Sequence, residues 1–412
     1  MSAATLIPAP RIVQEALRTT TERLAHELAQ PTDRAPDWSD FQWRVARAVA
    51  AMHGVSPLLS GTLRWQGPAG WTEFLRGQKA HTAARHPRIV ELLRVIDARA
   101  RDEGIALVAL KGAELHSSGL YAPGERPMAD VDLLVQGEDS NRAMRMLESL
   151  GFKQSGSTWR ERIFVPQDTR TPHSLGEHAD NYLKVELHER IQEELPVKRV
   201  DISAEIFPSR PHPGLNPYPS NASLMSHLLL HAAGAMVTRT LRLLHLNDLA
   251  RLSSRMTDAD WDQLLSRGAT GREHWWALPP LQLTARYYST AVPARVLSAL
   301  ASETPLLLGM TARRRTLTDV SLSYVWIEAF PGIEWSQSLA ETARYIVRRM
   351  SPRTEMIEVR QRLAQTEVAK SASEWQQLTQ RRRVLRWLTS RPTRVDTMYA
   401  IRMALTQKQL AT

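Results

Sequence analysis

The spacing of apolar positions changes twice along the chain, and the changes divide it into helical, mixed and again helical parts. In residues 11–30, Ile12, Leu17, Leu24 and Leu28 recur at helical spacing and fall on one face. Residues 31–36, PTDRAP, break that run. Asp37 or Ser39 then stands where a cap belongs for a second helix, which carries Trp43, Val45, Ala48 and Met52 and ends at Gly54. His53, just before the terminating glycine, reads as a helix-end residue rather than a ligand. Residues 65–87 read as loop and short helix. Residues 88–102 predict a clear helix with Ile89, Leu92, Leu93, Val95 and Ile96 inside.

At residue 105 the helical period gives way to short apolar runs. Residues 105–110 predict a buried strand ending in Lys111-Gly112. A short amphipathic piece and a turn at Tyr121-Ala122-Pro123-Gly124 lead to a second run over 128–135. A helix over 140–150, strands from Phe152 and over 162–165, and a polar loop over 167–180 follow. Residues 182–188 alternate, so Glu186 and His188 share a face. Five prolines between 208 and 219 require extended backbone there. Helices resume with Ser220 or Asn221 as cap, over 224–237, 241–252 and from 258. Beyond 275 they continue between prolines, with Trp326, Trp335, Trp375 and Trp387 predicting a packed tail. The expectation is an α+β protein of three parts: helices over 1–87, an α/β core over 88–207, and a mainly helical C-terminal domain with a basic tail over 220–412.

Composition changes this picture little. Of 412 residues 43% are hydrophobic and 23% charged, as in ordinary globular proteins. No apolar run is long enough to span a bilayer and the first twenty residues lack a signal-peptide pattern, so a cytoplasmic protein with no membrane partner is expected. The absence of cysteine excludes disulfides and cysteine-ligated zinc. Charge is more informative. The net charge is +10, and from Met310 onward 18 Lys/Arg face 9 Asp/Glu, so nearly all of it belongs to the last quarter. Solvated helix faces account for that most simply; a nucleic-acid partner bound through Arg313-Arg314-Arg315, Arg348-Arg349 and Arg381-Arg382-Arg383 is the less favoured reading.

The chemistry gathers around the second strand. Asp130 and Asp132 are two apart, so in a strand they project to one face, about 7 Å apart by the strand rise. Neighbouring carboxylates repel unless a cation lies between them, and Mg²⁺ suits carboxylate oxygens while leaving room for phosphate. Gly112 permits close approach of backbone to a ligand, and the helix start after it aims free N–H groups outward. Lys111, at the strand end, reads as a phosphate contact or as an ordinary surface lysine. Arg126, four residues before Asp130, can bind phosphate or brace the carboxylates. His227 and His231 have metal-ligand spacing on a helix, but HLLLH lacks the glutamate of a zinc peptidase, and buried or nucleotide-facing histidines are the expectation. Asp248 in an apolar helix needs a partner, a cation or Arg242.

The string Leu110-Lys111-Gly112, Tyr121, Arg126-Pro127-Met128 and Asp130-Val131-Asp132-Leu133-Leu134-Val135 resembles the uncharacterised nucleotidyltransferase family, a branch of the DNA-polymerase-β-like nucleotidyltransferase superfamily. The stretch from Ala51 to Leu59 and the set His227, His231, Arg242 and Asn247-Asp248-Leu249 extend the resemblance over roughly residues 43–290. It implies a polymerase-β-like core, a mixed sheet with helices. It also implies two Mg²⁺ ions held by Asp130, Asp132 and Glu186 with a nucleoside triphosphate. Asp130, Asp132, Glu186 and His188 would be catalytic, with His188 orienting Glu186, accepting a proton or simply packing. Lys111, Gly112, Arg126 and Asp248 would meet the nucleotide. The reaction implied moves a nucleoside monophosphate, AMP favoured, to an acceptor hydroxyl on a peptide, protein or small molecule. The chain departs from the superfamily in having Lys111-Gly112 where Gly-Ser is common and Glu186 where many relatives have aspartate. The alternatives are a non-catalytic nucleotide- or peptide-binding protein on the same fold, or the nucleic-acid binder above.

Overall fold

The change of period at residue 105 becomes a six-stranded mixed sheet in the computed structural model, which describes residues 7–168, 175–266, 274–351 and 378–406. The strands are β1 (Ala106–Ala109), β2 (Asp130–Val135), β3 (Phe152–Ser157), β4 (Glu161–Pro166), β5 (Lys184–His188) and, after a separate hairpin of β6 (Gln192–Leu195) and β7 (Lys198–Asp201), β8 (Gly214–Asn216). Their order is β3-β4-β5-β2-β1-β8. β2 pairs antiparallel with β1 and parallel with β5, β8 joins β1 in parallel, and β3, β4 and β5 form an antiparallel meander. The proline-rich stretch therefore supplies an edge strand, which extended backbone at a sheet edge allows. The β6–β7 hairpin was not foreseen, because its sequence, QEELPVKRVD, has few apolar positions to mark a strand.

Four helices precede the sheet: α1 (Pro10–Ala29), α2 (Asp40–Met52), α3 (Ser56–Thr62) and α4 (Ala69–Asp102). Ser39 caps α2, its hydroxyl taking the Gln42 N–H while the Gln42 side chain takes the Ser39 N–H. The expected loop over 65–87 is instead the first half of α4, a single helix of 34 residues that crosses the expected boundary at 87/88. Its buried stripe runs Trp71, Leu75, Gln78, Thr82, Arg85, Ile89, Ile96 and Ala100. The polar members hid the period: Gln78 is buried because its amide bonds backbone at Leu175 and Glu177. Pro87 inside the helix removes one backbone hydrogen bond, which the packed stripe tolerates.

The short α5 (Gly112–Ser117), α6 (Ser140–Ser149) and α7 (Ser203–Ile206) lie between strands, and α8 (Asn221–Thr238), α9 (Leu243–Ser253), α10 (Asp258–Ser266) and α11 (Leu278–Tyr287) follow the sheet. One sheet face, with Leu107, Val131, Leu133, Val185 and Leu187, packs on Ile89 and Ile96 of α4 and on Ala143, Met146 and Leu147 of α6. Val108, Leu110 and Leu134 belong instead to a larger core shared by α1, α2, α8, α9, α11 and the last helix, Val395–Thr406. The N-terminal and C-terminal helices thus meet in one core. Trp335 and Trp387 are buried and Trp326 half-buried, as a packed tail requires, while Trp375 lies outside the described residues. No helix among the described residues is long and apolar enough to cross a membrane.

Candidate active site

Strand register assembles the carboxylates. In the parallel pair β2–β5, Asp130 lies opposite Lys184, Asp132 opposite Glu186, and Leu134 opposite His188. Side chains two apart share a face, so Asp130, Asp132, Lys184, Glu186 and His188 all project to one side. Val131, Leu133, Val185 and Leu187 point the other way and are essentially inaccessible. A slip of one residue would drive the carboxylates into that core, so the apolar half of the pattern fixes the polar half.

Two ammonium groups interleave the acids. Lys111 Nζ lies 2.9 Å from Asp132 Oδ1, and His188 Nε2 is 3.0 Å from the same oxygen. Lys184 Nζ is 3.1 Å from Asp130 Oδ2 and 2.5 Å from Glu186 Oε1. Burial by itself would push Asp132 up, but Lys111 and His188 hold its carboxyl well below the usual range. Burial and the nearby Asp132 and Asp130 push Glu186 up, against Lys184. Among the described residues the group close enough to share a metal ion is Asp132, Glu186 and His188, whose ligand atoms lie within 4.8 Å of one another. Asp130, a third exposed, stands one pleat earlier and faces Lys184. The expected set of Asp130, Asp132 and Glu186 therefore shares two members with the observed group. Carboxylate oxygens fit Mg²⁺; an imidazole already bonded to Asp132 suits the task of orienting that carboxylate.

Lys111 sits at the corner between β1 and α5 with φ 45° and ψ −115°, a backbone region that residues with a side chain avoid. Such strain collects at functional corners. Gly112 follows for a reason the sequence did not give. A Cβ there would lie 2.7 Å from Arg126 Nη1 and 2.8 Å from Met128 Sδ, so its bareness admits Arg126. Arg126 forks onto Asp248, with Nε 2.9 Å from Oδ1 and Nη2 2.7 Å from Oδ2. The Tyr121 hydroxyl donates to the same carboxylate at 2.6 Å, and Asn247 donates to that hydroxyl at 2.8 Å. Asp248 thus pairs with Arg126 and not, as one sequence option had it, with Arg242. Arg242 precedes the first turn of α9 in extended conformation and is exposed.

A cavity of about 360 Å³ opens between these groups, with Lys111, Gly112, Arg126, Asp130, Asp132, Lys184, Glu186, Arg242 and Asp248 on its walls. It brings together every nucleotide-site residue read from the sequence. His231 lines this cavity and His227 does not, and neither belongs to the metal-range group above. His227 Nδ1 bonds the Tyr218 hydroxyl at 2.7 Å, and the His231 ring meets His245 edge-on. Burial pushes both rings well below the ordinary histidine range, so both are neutral. Lys184 is the site residue that sequence reading passed over. Its signal was available, because it precedes Glu186 by two in an alternating strand.

The model of a family described as uncharacterised nucleotidyltransferase matches residues 39–288. The chain belongs to that family. The matched span runs from the cap of α2 to the residue that ends α11, so the nucleotidyltransferase unit takes in α2–α4 and α8–α11 as well as the sheet. No curated protein and no solved structure matches the chain.

Proposed function

We propose that this nucleotidyltransferase moves a nucleoside monophosphate, AMP favoured, from a Mg²⁺-bound triphosphate to an acceptor hydroxyl. The observation that carries the reading is the parallel register that sets Asp132 against Glu186, with Asp130 one pleat away and a cationic cavity alongside. Asp130, Asp132 and Glu186 supply oxygens that fit Mg²⁺, and bound there the metal would offset charge on the phosphate oxygens during an in-line displacement. Lys111 and His188 keep the Asp132 carboxyl ionised well below the usual carboxylate range. Lys111, Lys184 and Arg242 are the cations on the cavity wall that can turn to the triphosphate. Arg126 and Asp248 satisfy each other, so in this reading they fix the wall rather than reach the nucleotide. The role of His188 is to orient Asp132.

Part of the basic tail serves packing, while Arg313, Arg314, Arg348, Arg381 and Arg382 are exposed. Arg315 pairs with Glu334 at 2.7 Å, and Arg349 lies over the Trp387 ring while bonding the Ala329 carbonyl. The test is the fate of ATP labelled at the α- and γ-phosphates, incubated with the protein, Mg²⁺ and fractionated cell extract. Pyrophosphate release with the α-label carried to an acceptor, abolished by EDTA and by Asp132→Asn, is the expected outcome. Release of orthophosphate with the α-label left in ADP would overturn the proposal in favour of γ-phosphate chemistry.

A further inference from the structure

A second cavity, of about 350 Å³, shares the Glu186 wall with the first. Both are lined by Lys111, Glu186 and His231. The rest of its wall comes from elsewhere: the turn into β4 with Thr158, Trp159, Arg160 and Glu161, the β6 residues Gln192 and Glu193, and one face of α8. In-line displacement at phosphorus needs the nucleophile opposite the leaving group. Two cavities meeting at one carboxylate supply two such approaches. The Lys184 and Arg242 side has the cations for a triphosphate, which leaves the Trp159 side for the acceptor.

The second wall also states what it lacks. Two of its cations are engaged, Lys111 with Asp132 and Arg160 with Glu193 at 2.5 Å and 2.7 Å, while Arg190 points largely to solvent, 3.8 Å from Asp201. Two of its acceptors, Glu161 and Gln192, have no cation partner among the described residues. Glu161 takes only the Thr158 hydroxyl among the described residues, at 2.8 Å, and the Gln192 side-chain carbonyl is buried with no donor. Glu193 is buried and held in place by α8, where a side chain at Gly234 would run into its carboxylate. Glu161 therefore has no cation partner among the described residues, whereas Glu193 keeps Arg160. Burial, with Glu161 and Glu194 nearby, pushes Glu193 up to about 7 despite Arg160 and Lys111. A ligand that brings hydrogen-bond donors and one positive charge completes the wall. A nucleic-acid end, which brings negative charge, does not.

We propose that this second cavity receives the acceptor, and that the acceptor is a small alcohol bearing a protonated amine, its ammonium toward Glu161 and Gln192 and its hydroxyl toward Glu186. The inference rests on the transferase reading for the word acceptor, but the binding site can be tested without it. An amino sugar and the N-terminal serine of a peptide share this chemistry.

The chain has no cysteine, so Gln192→Cys creates a single thiol that a maleimide can plug. Saturation-transfer NMR on the full chain would read binding of three probes: glucosamine, glucose, and the peptide amide Ser-Ala-Ala-NH₂. Each is measured alone and with Mg²⁺ and α,β-methylene-ATP. Glucosamine or the serine peptide should bind, at least tenfold more tightly than glucose, and which of the two binds names the source. Glu161→Gln and Gln192→Leu should each weaken that probe about tenfold. The plugged protein should lose it while keeping nucleotide affinity within twofold, with circular dichroism showing the same fold. Absence of binding by both amines, equal binding of glucose, or binding unchanged by the plug would overturn the proposal. Loss of nucleotide from the plugged protein alone would assign the cavity to the nucleotide instead. If no nucleotide binds even to the wild type but the amine still binds the second cavity, the transferase reading fails and the amine site stands.

Discussion

Asp132 is the residue on which the site turns, because it alone is bonded to both Lys111 and His188 and sits opposite Glu186. Asp132→Asn keeps the shape and removes the charge. A loss of transfer of roughly 10²-fold or more is expected, the scale of removing one electrostatic stabiliser from an active site. Pyrophosphate release checks it, with a melting curve to show that the fold survives. Asp248 carries a different load. It accepts three hydrogen bonds from Arg126 and Tyr121 in a buried place, so Asp248→Ala strands the guanidinium. Destabilisation of about 3–5 kcal/mol is expected from breaking a buried pair, against about 1 kcal/mol for Tyr121→Phe; urea unfolding of the two variants would separate them. The acids were legible because strand alternation is a local rule. The Arg126–Asp248 pair was not, since its members lie 122 residues apart and Arg242 stood closer in sequence.

Among the elements, α9 shows how the helical part is locked to the rest. His53, at the end of α2, takes the Leu243 N–H on Nδ1 at 2.9 Å, satisfying a free donor at the start of α9. Its Nε2 lies 3.0 Å from the Ser323 hydroxyl, which in turn bonds Thr21 at 2.7 Å. The sequence reading of His53 as a helix-end residue was right in kind, though it serves a second helix also. Burial, with Arg242 nearby, lowers its folded pKa from 6.5 to about 3. The unfolded chain therefore takes up a proton that the folded chain refuses. This contribution to stability is whole above about pH 6.5 and is lost as pH falls toward 3, with a slope of up to about 1.4 kcal/mol per pH unit. His53→Gln should lower the melting temperature at pH 7.5 yet flatten its fall between pH 6 and 4. An unchanged slope would acquit this ring. The first half of α4 was illegible for a physical reason: its buried stripe contains Gln78, Thr82 and Arg85, which reach internal partners rather than solvent.

At the scale of the whole molecule, the three expected parts share a core. Val45 and Ala46 of α2 lie in one cluster with Ile401 and Ala404 of the last helix, and Arg47 donates to the Ala404 carbonyl at 2.8 Å. Ending the chain at residue 378 would uncover that surface. A loss on the order of several kcal/mol is expected from the large apolar side chains exposed, seen as early thermal unfolding and rapid proteolysis of α2. A truncated protein that melts like the full chain would contradict this sharing. The α+β class, the core strands and the family were readable, because each rests on short-range pattern. How the flanking helices close on each other was not, because nothing local records which apolar stripes meet.

The central claim is that the β2–β5 carboxylates hold a metal-bound triphosphate. Calorimetric titration of the wild type and the Asp130→Asn/Asp132→Asn variant with ATP, GTP, CTP and UTP, with and without Mg²⁺, tests it most directly. One triphosphate, ATP first among them, should bind the wild type only when Mg²⁺ is present, and the double variant should lose that binding while staying folded. Equal binding by the variant, or binding indifferent to the metal, would contradict it.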